Sequence, residues 1–208
     1  SDLVRSNIEE TSVVKKAFNS IFPNGYSKLS EEQRAKKIYN YIKNNFNYSH
    51  VSFRQSGFVP QKPTKTIKTS LGDCKDFSTL YVALANMADL KSNLVLILTS
   101  DNGKNELVLP STNFNHCIVK VKLNGKDQFL ELTDKYLPFK SLPTSLRGAT
   151  GLEIPFKSET NKTFDLFKLD NVLREKAVIN NNVVVNVNDN KIKMNIDTKF
   201  TGHINSFY

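Results

Sequence analysis

The 208-residue chain has no tryptophan, only two cysteines and only three histidines, and each shortage narrows what it can do. Cys74 and Cys117 lack the paired C-x-x-C spacing of a structural zinc site, and His50, His116 and His203 lie far apart with no H-E-x-x-H. No metal and no other cofactor is expected. A phosphate-cradling glycine loop is missing too, which sets aside the nucleotide enzymes that depend on one. No apolar run approaches the roughly 18 residues of a membrane span. The first residues, Ser1-Asp2-Leu3-Val4-Arg5-Ser6, lack the charged start and apolar stretch of a targeting signal. The formal charge of +9 raises the question of a nucleic-acid partner, but the lysines are scattered among asparagines. Neither an arginine cluster nor a basic run interleaved with aromatics is present, so no specific nucleic-acid binding is expected.

What is present is ordinary for a folded domain: 39% hydrophobic and 24% charged residues, in a chain long enough to bury a core. Val4, Ile8, Val14, Phe18 and Ile21 keep a helical period from Asp2, a candidate cap, to about Ile21. Ser30-Glu31-Glu32-Gln33 is a capping box, and the apolar stripe from Ala35 to Phe46 predicts a helix over about 31–46. Residues 47–70, with Gly57, Pro60 and Pro63, read as a long loop with room for a short strand. Gly72-Asp73 then supplies a turn and an N-cap for a helix running to about Leu90, whose buried stripe includes Cys74 in the first turn. Leu94 to Thr99, Asn113 to Leu123 and Lys126 to Thr133 read as strands, the last two joined by Asn124-Gly125. Past about Thr150 the pattern alternates through Thr163–Leu169, Val172–Ile179, Val183–Val187 and Ile192–Phe200, with Ile204–Tyr208 still strand-like. The expectation is an α+β domain over residues 1–150, and over 151–208 a β-rich segment that begins a second domain within a longer chain.

Cys74 carries the chemistry. A thiol in the first turn of a helix meets the helix dipole and unpaired N–H groups, which favour a thiolate and can form half of an oxyanion hole. A two-residue Asn-Gly turn sets Leu123 opposite Lys126, which pairs His116 with Thr133 and Ile118 with Glu131. His116 and Glu131 then share a face, diagonal to one another and within reach. Alternation puts Cys117 on the opposite, apolar face as a packing residue, which disfavours a disulfide with Cys74. A helix-start cysteine followed by a histidine and a carboxylate on one hairpin is the arrangement of Cys-His-acid catalysis. For the second oxyanion donor, Gln55 and Tyr48 are the candidates.

The motifs Gly72-Asp73-Cys74-Lys75-Asp76, Phe114-Asn115-His116 and Phe129-Leu130-Glu131-Leu132-Thr133-Asp134 resemble those of the transglutaminase-like superfamily, over roughly residues 30–150. They resemble in particular the core domain of bacterial envelope proteins in which it lies between β-rich domains. One position departs from that pattern, since Glu131 stands where such relatives carry an aspartate. The resemblance implies a papain-like α+β fold, with helices packed on an antiparallel sheet. It implies Cys74 as nucleophile, His116 as base and Glu131 as the residue that orients the ring. It also implies a protein or peptide substrate whose amide is cross-linked, deamidated or hydrolysed, and export to the periplasm or cell surface. A non-catalytic binding or scaffolding module is the alternative, and a Glu131 carboxylate turned away from His116 would favour it.

Overall fold

The computed structural model describes residues 10–49, 57, 59–102, 113–155, 166–169, 178–188 and 191–201. Each long helix begins where a side chain can satisfy first-turn N–H groups. Thr11 caps α1 (Ser12–Ile21) by accepting from the Val14 N–H, while Asp2, Val4 and Ile8 lie outside the described residues. Ser30 caps α2 (Glu31–Asn45) through the expected box, accepting from Gln33 N–H at 3.2 Å and donating its own N–H to Gln33 Oε1 at 2.9 Å. The strand β1 (Asn47–Tyr48) follows.

The loop expected over 47–70 is corrected by a helix, α3 (Pro63–Thr69). Proline breaks a helix interior but suits its first position, where φ is already set and the missing N–H would have no partner. Beyond it, β2 (Leu71–Gly72) pairs in parallel with β1 and feeds α4 (Cys74–Met87), buried on all sides from Cys74 to Ala85. Gly72 is confined where strand becomes helix: a Cβ there would lie 2.9 Å from Asp76 Cβ and 3.0 Å from the Phe77 ring. Gly72→Ala is therefore expected to lower the unfolding free energy by about 1–3 kcal/mol, read as a lower urea midpoint at unchanged slope.

The sheet has the order β5-β4-β3-β6-β7, antiparallel throughout, from β3 (Ser92–Leu98), β4 (His116–Leu123), β5 (Lys126–Leu130), β6 (Thr150–Ile154) and β7 (Leu166–Lys168). Asn124 and Gly125 take φ of 50° and 79°, the two positive values a two-residue type I′ turn requires. Leu123 faces Lys126 and Val119 faces Leu130, as the sequence predicts. The ladder stops there, so the expected pairs of His116 with Thr133 and Ile118 with Glu131 do not form.

Two apolar layers flank this sheet. Leu94, Val119 and Val121 pack with α1, α2 and α4, whereas Val95, Ile97 and Ile118 are covered by Leu142, Leu146, Ala149 and Leu169. The division expected at residue 150 thus falls inside a sheet that continues to Lys168. The helices-on-antiparallel-sheet architecture matches the expected α+β class. A separate hairpin, β8 (Ile179–Asn188) and β9 (Lys191–Phe200), sets Val183, Val185 and Val187 opposite Ile196, Met194 and Ile192, all exposed. Residues 170–177 and 202–208, where further strands are expected, lie outside the described residues. No helix among the described residues is long and apolar enough to cross a membrane.

Candidate active site

Asp73 organises the start of α4. Its Oδ1 accepts from the N–H groups of Lys75 (2.9 Å) and Asp76 (3.2 Å), and Asp76 Oδ2 accepts from the Asp73 N–H at 3.0 Å. Phe77 N–H bonds back to the Asp73 carbonyl at 3.0 Å. Of the first-turn donors, the N–H of Cys74 is the one that neither this cap nor the described helix ladder takes up. Lys75 Nζ meets Asp73 Oδ2 at 2.6 Å, and both side chains are 3% exposed, so the cap's charge is matched inside the protein. Gln61 ties down Asp76 from outside the helix, donating its N–H at 2.7 Å and Nε2 at 2.6 Å.

His116 is the first residue of β4. Its direction is set by Asn115, which donates its N–H to Ile97 O at 2.9 Å, accepts from Thr99 N–H at 3.0 Å and donates Nδ2 to Thr99 Oγ1 at 2.8 Å. From there His116 Nε2 lies 2.6 Å from Glu131 Oε2, and the ring hydrogen-bonds the Cys74 side chain. With Nε2 facing the carboxylate, Nδ1 is left for the sulfur. Glu131, 2% exposed, spends its other oxygen on Thr133, accepting from the N–H at 2.8 Å and the hydroxyl at 2.7 Å. Burial draws the imidazole pKa down, but the Glu131 carboxylate and the hydrogen bond to Cys74 hold it well above its ordinary 6.5. Burial pushes the Glu131 carboxyl up, and His116 with Thr133 more than reverses this, leaving it below 4.5.

The structure thus brings the side chains of Cys74, His116 and Glu131 together. Cys117 packs on the apolar face, as alternation predicts, and the cluster it joins also contains Cys74. Strict alternation would turn His116 away from α4, but at the first residue of a strand the ring reaches past the sheet's end to the sulfur. Both thiols are free, and burial together with nearby Cys74 pushes the Cys117 pKa well up, so Cys117 stays protonated and inert.

Of the two oxyanion candidates, Gln55 lies outside the described residues. Tyr48 is set opposite Gly72 by the β1–β2 pair, its ring 6.2 Å from that of Phe77, and its hydroxyl hydrogen-bonds the Cys74 side chain. Burial, Cys74 and Asp73 all raise its pKa, so the hydroxyl keeps its proton and can donate. Thr133 and Gln61 carry no signal that sequence reasoning read as functional. Thr133 reads as a strand partner within the quoted motif, and Gln61 as part of a loop.

The comparisons with known proteins bear on this geometry. The model of the transglutaminase-like superfamily matches residues 24–132, a stretch that contains Cys74, His116 and Glu131. A candidate protease from Parabacteroides distasonis superposes with a TM-score of 0.54 at 13% identity, covering 73% of this chain and 28% of that one. A candidate cysteine protease from Cytophaga hutchinsonii gives 0.44 at 13% identity, covering 96% and 55%. The chain thus spans between about a quarter and about half of the length of these solved proteins. No curated protein matches the sequence. With the family model covering more than half of the residues and the first superposition agreeing on the fold, the chain belongs to the transglutaminase-like superfamily.

Proposed function

We propose that the protein is a cysteine acyl-transfer enzyme that acts on amide or peptide bonds of a protein or peptide through a thioester on Cys74. The observation that carries this reading is the single imidazole bonded to Glu131 through Nε2 and in contact with the Cys74 side chain. His116 Nδ1 takes the thiol proton as the sulfur bonds to the carbonyl carbon, and Glu131 stabilises the imidazolium that forms. The Tyr48 hydroxyl, which hydrogen-bonds the Cys74 side chain, and the N–H of Cys74 are the donors that would meet the tetrahedral oxyanion. His116 returns the proton to the leaving nitrogen, the C–N bond breaks, and ammonia or an amine departs. An incoming amine or water, deprotonated by the same ring, then cleaves the thioester and restores the thiol.

A non-catalytic binding module has no use for a carboxylate turned onto the ring, and Glu131 faces His116. Export to the periplasm or cell surface belongs to this proposal through family resemblance. So does a second, β-rich domain, which would begin beyond the core sheet's last strand at Lys168 and into which the exposed valines of β8 would pack.

Alkylation tests the nucleophile. Cys74 is only 2% exposed, so a reaction with iodoacetamide at neutral pH faster than that of free cysteine requires activation by His116. The expected result is fast modification of Cys74, slow modification of Cys117, and loss of the fast phase in His116→Ala, read by peptide mass. A Cys74 that reacts no faster than Cys117, with or without His116, would overturn the proposal.

A further inference from the structure

A groove runs along α2 beside the active site, lined next to it by Tyr48, Phe77 and Thr133. Its inner part, a cavity of about 370 Å³, opens beside Tyr48 and Thr133 over Phe46 and Phe77. Its outer part, about 450 Å³, continues over Tyr39, Leu137 and Phe139. Lys43 and Lys135 line both, so the two join across these side chains.

The charge of the groove is one-sided. Lys36 and Lys135 are exposed along it, and Lys140 stands over the outer part. Both acids of the lining are engaged: Glu32 Oε1 lies 2.8 Å from Lys140 Nζ, and Asp134 accepts from the Tyr136 N–H at 2.9 Å and faces Lys43. Lys43 Nζ is turned inward to the Tyr39 hydroxyl and the Leu137 carbonyl, where it braces the wall. What faces an incoming ligand is therefore two lysines and the side-chain amides of Asn40 and Asn44, above an apolar floor.

We propose that this groove holds an extended acidic stretch of the polypeptide that donates the acyl group. The inference rests on the acyl-transfer reading and names its substrate class. Carboxylates would meet Lys36 and Lys135, an apolar side chain would enter the inner cavity against Phe46 and Phe77, and the reacting amide would sit at Cys74. The asparagine amides can pair with either polar group of a peptide backbone. Lys36 and Phe46 are ten residues apart on and just past α2, roughly 15 Å, the reach of four to five extended residues. The acidic residue therefore falls about that far from the residue whose side chain enters the inner cavity. A nucleic acid fits less well: no arginine lines either part among the described residues, and Tyr39 and Phe139 pack edge to face, centroids 5.3 Å apart, instead of offering open stacking faces.

Binding to the Cys74→Ala chain tests this without reference to catalysis. Fluorescein-labelled peptides carrying one glutamine, flanked by glutamates, serines or lysines, are titrated by anisotropy at low and at moderate salt. The glutamate peptide is expected to bind about 5- to 10-fold tighter than the serine peptide at low salt, with the advantage shrinking as salt rises. Lys36→Glu combined with Lys135→Glu is expected to reverse the order, with circular dichroism unchanged because both lysines are exposed. Equal binding of the three peptides, a preference that survives the double charge reversal, or an oligonucleotide of equal charge that binds as tightly as the acidic peptide would each overturn it. Such a failure leaves the chemistry standing, since alkylation of Cys74 judges that separately.

Discussion

Replacing Cys74 by alanine is expected to lower kcat by about 10⁴-fold or more, to the background left by binding and oxyanion stabilisation alone. In the proposed reaction the sulfur forms the covalent bond, and no neighbour can substitute for it. Cys117 is the nearest candidate in kind, yet it is 2% exposed, sits among apolar side chains and has its pKa pushed well up. Its carbonyl accepts from Ser78 Oγ at 3.3 Å, a further tie to α4 that keeps the strand in place. Single-turnover measurement of ammonia or amine release checks the expectation. Turnover above about one part in a hundred of the unsubstituted protein would mean that another group does the chemistry.

Glu131→Gln should lower kcat by roughly 10³-fold while changing the fold little. The substituted amide keeps the size of the side chain, and its oxygen can still accept from Thr133. Its NH₂ would then face His116 Nε2 and favour the tautomer protonated on Nδ1, the nitrogen needed to receive the thiol proton. Glu131→Asp should cost about 10²-fold, because a carboxylate one methylene shorter cannot hold both Thr133 at 2.7–2.8 Å and His116 at 2.6 Å. The expected order is unsubstituted, then Asp, then Gln. A Gln variant with full activity would remove the carboxylate from the mechanism.

The same pair gives a stability signature whose sign follows from its two shifts. His116 is raised in the folded state, so its contribution is fully present below the ordinary 6.5 and is lost as pH rises through the raised folded value. Glu131 is lowered, so its contribution is present above 4.5 and is lost as pH falls through the lowered folded value. Both act at full strength between about pH 4.5 and 6.5. The stability advantage over Glu131→Gln should peak in that window and shrink on the alkaline side. Urea unfolding that gives the same advantage at pH 5.5 and pH 9 would contradict the pairing.

How much of this was readable depends on the range of each interaction. The meeting of His116 with Glu131 was legible because a two-residue turn, Asn124-Gly125, fixes the register of everything near it, and the error grows only with distance from the turn. Past Leu130 the chain leaves the ladder, and the carboxylate of Glu131 reaches the ring by the length of its side chain, not by strand pairing. The cap at Asp73 was legible for the same local reason. Tyr48 could be named but not placed, since its position comes from a parallel pairing of two-residue strands far apart in sequence. The helix α3 has seven residues, fewer than two full turns, so no period could emerge. Alternation places Cys117 on the packed face, but it does not foresee that His116, at the strand's entrance, and Cys117 both lie near Cys74. Strand-like pattern past Thr150 was visible, but a pattern names no partner, and β6 joined β3.

That last pairing separates two boundaries that are easily equated. The family's matched span ends at residue 132, yet β3 is shared between β4 on one flank and β6 on the other. A fragment trimmed to the matched span would keep Cys74, His116 and Glu131 and lose Leu142, Leu146, Ala149 and Leu169, baring Val95, Ile97 and Ile118 to water. The signature that kinship recognises is thus smaller than the piece that can stand alone. The half that carries the cysteine, histidine and glutamate rests on a keel supplied by residues outside the family's signature.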